Sequence, residues 1–113
     1  MFEGRGMVFV GNIPRYAIGL RLAAMADPRD GLLDVCVFEC ASRLRLIRHA
    51  LMTVFRRHVG SRGVHYAQTR RVRVSSAGHV DVEVDGDLAE PLPVEFGMTE
   101  HRATFLVAPD WQA

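Results

Sequence analysis

The amino-acid sequence predicts a mainly β domain of antiparallel strands with one amphipathic α-helix at about residues 42–59. Two observations predict this fold class. Residues 71–74 and 80–85 alternate between apolar and charged side chains, which is typical of strands with one buried face. A single stretch repeats its apolar side chains at steps of three and four, which is typical of a helix. Because 113 residues suit one domain, we expect residues 1–113 to form a single unit.

The first part of the chain predicts three short apolar strands. Residues 7–10 are rich in strand-forming side chains and are closed by turn residues at 11–14. Residues 20–26 are again mostly apolar, and we interpret them as a second strand that runs into a tight turn at 27–31. Residues 32–40 are too apolar on both faces to stand alone in water, which predicts a buried strand.

The predicted helix begins at Ser42, whose hydroxyl suits an N-cap, and ends at the glycines Gly60 and Gly63. Its apolar stripe consists of Leu44, Ile47, Leu51, Val54, Phe55 and His58. Arginines lie mostly off that stripe. They could contact anionic lipid headgroups or phosphates, although an ordinary solvated surface is the simpler interpretation.

Strands separated by turns are predicted for the rest of the chain. The alternating segments at 71–74 and 80–85 should form a hairpin through a loop at 76–78. Two further strands, near 92–98 and 102–107, complete the predicted β structure.

Charge pairing indicates a register for this hairpin. Arg73 would face Asp81, and Arg71 would face Glu83. On the other face, valines would pair: Val72 with Val82, and Val74 with Val80. A slip of one residue would bury every charge, so the alternation selects this register.

Charge and composition exclude several functional classes. The 14 arginines and 13 acidic residues leave a net charge of +1, far from the excess typical of a dedicated nucleic-acid binder, so no nucleic-acid partner is expected. Cys36 and Cys40 lack metal-ligand spacing and suit free thiols in a reducing compartment. No apolar run approaches the ~20 residues that span a bilayer. We therefore expect a cytoplasmic protein with, at most, peripheral membrane contact.

The turn at residues 27–31 is a candidate cation site. Asp27 and Asp30 lie three apart around a proline- and glycine-directed turn, which can direct two carboxylates and a main-chain oxygen towards one ion. Hard cations such as Mg²⁺ prefer these oxygen ligands. The alternative is that both aspartates form the turn and bind no ion.

A second acidic group lies where a strand enters a turn. Glu83, Asp85 and Asp87 occupy alternate positions around Gly86. Neighbouring carboxylates disfavour each other's charge, and a site can thereby obtain a base that accepts a proton from a hydroxyl. A solvated strand face is the alternative.

The order of these motifs resembles that of a known family. Residues 26–35 read A-D-P-R-D-G-L-L-D-V, a V-D-G-D turn follows at 84–87, and 93–96 read P-V-E-F. From about residue 7 to residue 109, this order resembles the C-terminal domain of the diacylglycerol kinase and sphingoid-base kinase-like lipid kinases.

The resemblance implies a β-sandwich domain that closes a cleft against an N-terminal nucleotide-binding domain. Such enzymes transfer the γ-phosphoryl group of ATP to a lipid hydroxyl. By position, Asp27, Asp30 and the carbonyl of Leu32 would bind a structural Mg²⁺ ion. Asp85 and Asp87 match the acidic pair that accepts the proton.

Two functions are therefore consistent with the sequence. The first is the substrate-side domain of an ATP-dependent lipid kinase, acting on diacylglycerol or a related lipid and inactive without its nucleotide-binding partner. The alternative is a non-catalytic β-sandwich module that binds lipid or a partner protein. In both cases we expect apolar surface that is covered by self-association or by docking to a nucleotide-binding domain.

Overall fold

The computed structural model describes residues 1–15, 20–101, 103–104 and 106 of the chain, and this part is mainly β with one helix. Its elements are β1 (Gly6–Gly11), β2 (Leu33–Glu39), α1 (Arg43–Val54), β3 (Val64–Thr69), β4 (Arg71–Val74), β5 (Val82–Val84), β6 (Asp87–Ala89) and β7 (Val94–Gly97). All strand pairs are antiparallel. The predicted fold class is confirmed.

The core lies on a three-stranded sheet with β2 in the centre, between β1 and β3. Residues 34–38 of β2 are all buried, as the apolar run predicted. One cluster contains the buried side chains Leu22, Cys36, Phe38 and Val64, with Phe9, Cys40 and Tyr66 packed against them. Beyond Val64, none of the described residues is buried, so the remaining strands lie outside this core.

The strand predicted at 20–26 is wrong. The segment forms bends and a turn, in which the Ala26 N–H donates to the Ala23 carbonyl at 3.1 Å. Leu22, Ala23 and Ala26 are nevertheless buried. The segment is apolar because it packs, not because it pairs with a strand, and short apolar runs cannot distinguish the two.

The predicted hairpin between 71–74 and 80–85 is also wrong, because β4 pairs with β7. Arg73 lies opposite Glu95, and the Arg71 Nε atom is 3.3 Å from the Glu95 Oε1 atom. The apolar cross-strand pairs are Val72 with Phe96 and Val74 with Val94. β7 alternates charge and apolarity as β5 does, so the pattern of β4 did not determine its partner. The predicted strand at 92–98 is confirmed by β7. Of the strand predicted at 102–107, three of the six residues lie outside the described residues, and the three that are described, Ala103, Thr104 and Leu106, are not in a strand.

Helix α1 begins as predicted and ends about one turn early. The Ser42 Oγ atom accepts from the Arg45 N–H at 3.3 Å and caps the helix. At the other end, Arg56 adopts a left-handed conformation with φ 56°. The Arg57 N–H donates to the Met52 carbonyl at 2.8 Å, and the Arg56 N–H donates to the Thr53 carbonyl at 3.0 Å. This pair of bonds is a Schellman motif, which ends the helix before Gly60 is reached.

The orientation of α1 was not predictable from its stripe. An amphipathic helix ordinarily turns its apolar stripe towards the core. Here the buried side chains of α1 are His49 and Thr53. Of the predicted stripe, the ring of His58 is fully buried and lies beyond the end of the helix, while the other five side chains are exposed. No helix in the described ranges is long and apolar enough to cross a membrane.

Candidate acidic site

The hairpin of β5 and β6 carries the acidic residues that the sequence singled out. Its two central residues, Asp85 and Gly86, both have positive φ angles, of 54° and 94°. A two-residue hairpin turn of type I′ requires positive φ at both positions, and Asp-Gly is a preferred pair for it. Asp85 is thus held at the tip of the hairpin by the geometry of the turn itself.

The hairpin separates the three predicted carboxylates. Asp87 lies opposite Val84 and shares a face of the hairpin with it, whereas Glu83 lies opposite Leu88 on the other face. Asp85 and Asp87 flank Gly86, and both are exposed. The turn therefore brings Asp85 and Asp87 to one end of the hairpin and directs Glu83 away from Asp87.

The loop at 27–31 uses its aspartates to form the turn. The Asp27 Oδ1 atom accepts from the Arg29 N–H at 2.9 Å, and the Asp30 Oδ1 atom accepts from the Leu32 N–H at 2.7 Å. The Asp30 N–H donates to the Asp27 carbonyl at 3.2 Å. Both carboxylates are exposed, and each commits one oxygen to its own backbone.

The loop also limits which cation could bind. Within the described ranges, no three His, Cys, Asp or Glu side chains converge as a metal-binding group. A site at this loop would rest on two carboxylates, a carbonyl and water. Such a set suits Mg²⁺, which usually keeps several waters and takes only one or two carboxylates.

Asp34, which follows this loop closely in the chain, is a buried carboxyl group that the sequence did not single out. Asp34 is 1% exposed, and its Oδ1 atom accepts from the Tyr66 hydroxyl at 2.5 Å and from the Gln68 Nε2 atom at 3.2 Å. The Tyr66 hydroxyl accepts in turn from the Met25 N–H at 3.0 Å. Burial, and then the bond to Asp34, raise the pKa of Tyr66 above its usual range. These contacts hold the segment before the 27–31 loop against the sheet. The sequence signal for this buried group was the charged residue Asp34 within an apolar run.

A second polar cluster joins the end of β2 to α1 and β3. The Glu39 carboxylate lies 3.1 Å from the Arg45 Nη1 atom and 3.0 Å from the His65 Nε2 atom. The Glu39 carbonyl accepts from the His49 Nε2 atom at 3.0 Å. The hydrogen bond from His65 and the nearby positive charges hold the pKa of Glu39 below its usual value.

The fold and the acidic turn define an antiparallel β domain with two carboxylates at one hairpin tip. A family model described as the YegS C-terminal NAD kinase beta sandwich-like domain matches residues 2–107. The chain belongs to this family. The family predicted from the order of the sequence motifs is confirmed.

Two curated relatives carry the same name. The chain is 38% identical to a diacylglycerol kinase of Mycobacterium tuberculosis over 86 residues, which cover 75% of this chain and 27% of the relative. It is 26% identical to a diacylglycerol kinase of Bacillus subtilis over 114 aligned residues, which cover the whole of this chain and 37% of that relative. The chain therefore spans well under half the length of the relatives it matches.

Proposed function

We propose that this chain is the substrate-side domain of an ATP-dependent kinase that phosphorylates the hydroxyl group of diacylglycerol or a related lipid. Family membership and the names of the two relatives support the reaction class. The observation that carries the proposal is the Asp85–Gly86 turn, which exposes Asp85 and Asp87 together at the tip of a hairpin.

Asp85 is the proposed general base, with Asp87 assisting or replacing it. The lipid hydroxyl oxygen bonds to the γ-phosphorus of ATP, the bond from that phosphorus to the bridging oxygen breaks, and ADP leaves. The hydroxyl proton passes to the Asp85 carboxylate. A two-residue turn supports this role, because it leaves the backbone of Asp85 little freedom and so holds the carboxylate in place.

The nucleotide would bind mainly to another domain. Phosphoryl transfer depends on positioning and on neutralising the phosphate charges, and the 113 residues contain no glycine-rich phosphate-binding loop. Strands β4 to β7 bury none of their side chains fully, which leaves surface for a second domain to cover. A domain that closed over the hairpin tip would also remove water from both carboxylates. Desolvation of a carboxylate favours its protonated form and makes it a stronger base.

The proposed Mg²⁺ site is the loop at 27–31. Asp27, Asp30 and the carbonyl of Leu32 would hold the ion, and the donor chemistry of the loop fits it. A bound ion would neutralise negative charge and brace the loop against β2. Titration calorimetry with MgCl₂ tests this site: we expect heat of binding for the 113-residue chain and none for the Asp30→Ala variant. Equal heats would contradict the site, and Glu90→Ala is the control for loss of an exposed carboxylate.

A chimera tests the catalytic assignment. Residues 1–113 would replace the matching C-terminal part of the Mycobacterium tuberculosis diacylglycerol kinase, and phosphorylation of diacylglycerol in mixed micelles would be followed with ATP and Mg²⁺. We expect Asp85→Asn and Asp87→Asn together to lower the rate at least 100-fold, which is the usual contribution of a general base.

Asp81→Asn is the matched control, because Asp81 is an exposed carboxylate just before β5 whose partner is His79, at 2.9 Å. This variant should keep the chimera's activity. Unchanged activity in the Asp85 and Asp87 double variant would contradict the assignment of the base. A folded chimera that binds diacylglycerol but transfers no phosphate would favour the non-catalytic module.

A further inference from the structure

The outward face of α1 is apolar along its whole length. Five large apolar side chains on this face are between 53% and 77% exposed: Leu44, Ile47, Leu51, Val54 and Phe55. Their spacing of three and four residues places them in one stripe. A contiguous stripe of this kind is unusual on the surface of a monomeric protein and indicates an interaction site. We name it the α1 stripe.

Polar contacts hold the opposite face of the helix against the protein. His49 donates to the Glu39 carbonyl, its ring lies 5.4 Å from that of Phe38, and it is 2% exposed. The Thr53 hydroxyl donates to the His49 carbonyl at 2.9 Å and is buried beside it. Because His49 contacts β2 and Thr53 is buried on the same face of the helix, the α1 stripe must point outward.

The charges on α1 itself are of one sign. The helix carries Arg43, Arg45 and Arg48 and no aspartate or glutamate. Of these, Arg45 pairs with Glu39 at 3.1 Å. At 100° per residue, Arg43 and Arg48 lie on opposite sides of the stripe. At the C-terminal end of the helix, Met52, Phe55 and Arg57 line an open recess of about 420 Å³. The surface formed by α1 and the residues just after it therefore carries apolar and cationic side chains next to each other.

We propose that the α1 stripe and its flanking arginines are a docking surface for a bilayer that contains anionic phospholipids. A helix that lies in a membrane interface buries an apolar stripe among the acyl chains and places its cations at the headgroups. The purpose of this docking rests on the proposed function, since a lipid kinase meets its substrate at a bilayer.

The same charges disfavour a second copy of this chain as the occupant. A twofold interface through the α1 stripe would bring Arg43 and Arg48 of both copies together, and the helix carries no acidic residue to pair with them. An anionic bilayer supplies the opposite charge at the headgroups and apolar material beneath them.

Vesicle sedimentation of the 113-residue chain tests the proposal. The vesicles are either phosphatidylcholine alone or phosphatidylcholine with a third of phosphatidylglycerol. We expect binding to the second kind, weakened when the NaCl concentration is raised, and little binding to the first. Equal binding to both vesicles, or binding to neither, would overturn the proposal.

Variants locate the surface. Ile47→Gln with Leu51→Gln should weaken binding at least tenfold, because both side chains leave the acyl region. Arg43→Gln and Arg57→Gln should each weaken it about fivefold. The matched controls are Val80→Gln, an exposed apolar side chain elsewhere, and Arg5→Gln, an exposed arginine outside the surface; both should bind as the unaltered chain does.

Two further results distinguish a bilayer from a second copy of the chain as the partner of the α1 stripe. Unaltered vesicle binding by the Ile47 and Leu51 double variant would overturn the proposal. So would light scattering that shows a dimer of the unaltered chain and a monomer of this variant, since the stripe would then contact a second copy. The Asp85→Asn and Asp87→Asn variant should still bind vesicles, so that a failure of the kinase assignment is distinguished from a failure of the docking surface.

Discussion

At the scale of single residues, the two cysteines differ in their environment although they lie only four residues apart. Cys36 is 1% exposed in the centre of the sheet, and burial raises the pKa of its thiol to about 11. Cys40 lies at the rim of the same cluster and is only partly buried. Because the thiolate is the reactive form, Cys36 should be inert in the folded chain.

We therefore predict that a thiol reagent at pH 8 modifies Cys40 in the folded chain and reaches Cys36 only in denaturant. Mass spectrometry after brief labelling would show one adduct without denaturant and two with it. The Cys40→Ser variant is the control, and it should show no rapid adduct. Rapid double labelling of the folded chain would contradict the burial of Cys36.

The bond between Tyr66 and Asp34 is expected to contribute to stability. Tyr66→Phe removes one of the two donors to the buried Asp34 Oδ1 atom, leaving Gln68, and removes the acceptor of the Met25 N–H. We predict a loss of about 0.5–1.5 kcal/mol in the free energy of unfolding, which is the usual net contribution of a hydrogen bond. Urea unfolding measures it. Ser75→Ala, at an exposed position, should change the free energy by less than about 0.5 kcal/mol.

At the scale of elements, Glu39 connects β2 to α1 through Arg45 and to β3 through His65. The pKa of Glu39 is lowered in the folded chain, chiefly by the hydrogen bond from His65 and then by the positive charges of His65 and Arg45. A carboxyl group with a lowered pKa stabilises the fold above its unfolded value, about 4.5, and this contribution disappears as the pH falls through the folded value.

Glu39→Gln should therefore destabilise the chain at pH 7 and have progressively less effect below about pH 4.5. The measurement is the urea midpoint across this pH range for both proteins. Glu90→Gln, at an exposed carboxylate after β6, is the control and should run parallel to the unaltered chain. A difference between the Glu39 variant and the unaltered chain that stays constant down to pH 3 would contradict this account.

The end of α1 contains an arginine where glycine is the usual residue. Arg56 has φ 56°, a conformation that costs energy for any residue with a Cβ atom. We predict that Arg56→Gly raises the free energy of unfolding by about 0.5–1 kcal/mol. Thermal unfolding followed by circular dichroism would measure it. Arg57→Gly, one residue later, lacks this benefit and should not stabilise the chain.

At the scale of the whole molecule, burial is unevenly distributed. The three-stranded sheet, Pro14 and the segment before the 27–31 loop contain all the buried apolar side chains of the described ranges, whereas β4 to β7 form two ribbons with no fully buried residue. Regions with few buried apolar contacts open at low free-energy cost.

Hydrogen exchange should therefore divide the chain in two. We predict slow exchange for amides of β1, β2 and β3, and fast exchange for those of β4 to β7, as measured by mass spectrometry of peptic fragments. In the chimera with a nucleotide-binding domain, the two ribbons should gain protection. Uniform protection of the 113-residue chain would contradict this division.

The sequence predicted most of the local structure. The apolar run of β2, the Ser42 cap and the Asp85–Gly86 turn are local features, because each depends on the chemistry of neighbouring residues. The two candidate acidic sites, at residues 27–31 and 83–87, could be identified from the sequence for the same reason, since turn residues determine where a carboxylate is exposed. Family membership followed from the order of these local motifs over nearly the whole chain.

Only the tertiary structure decided which elements meet. The arginines of β4 could face either Glu95 in β7 or the acidic residues in and beside β5. The partner of β4 therefore depended on chain connectivity and on the Asp85–Gly86 turn, which pairs β5 with β6. The apolarity of 20–26 is consistent with packing as well as with pairing. The amphipathic pattern of α1 located a stripe but not the side it faces. The buried face is determined by His49, which hydrogen-bonds to the Glu39 carbonyl and packs its ring near that of Phe38. Patterns along a chain specify local conformation, whereas the partner of each surface depends on contacts between residues distant in sequence.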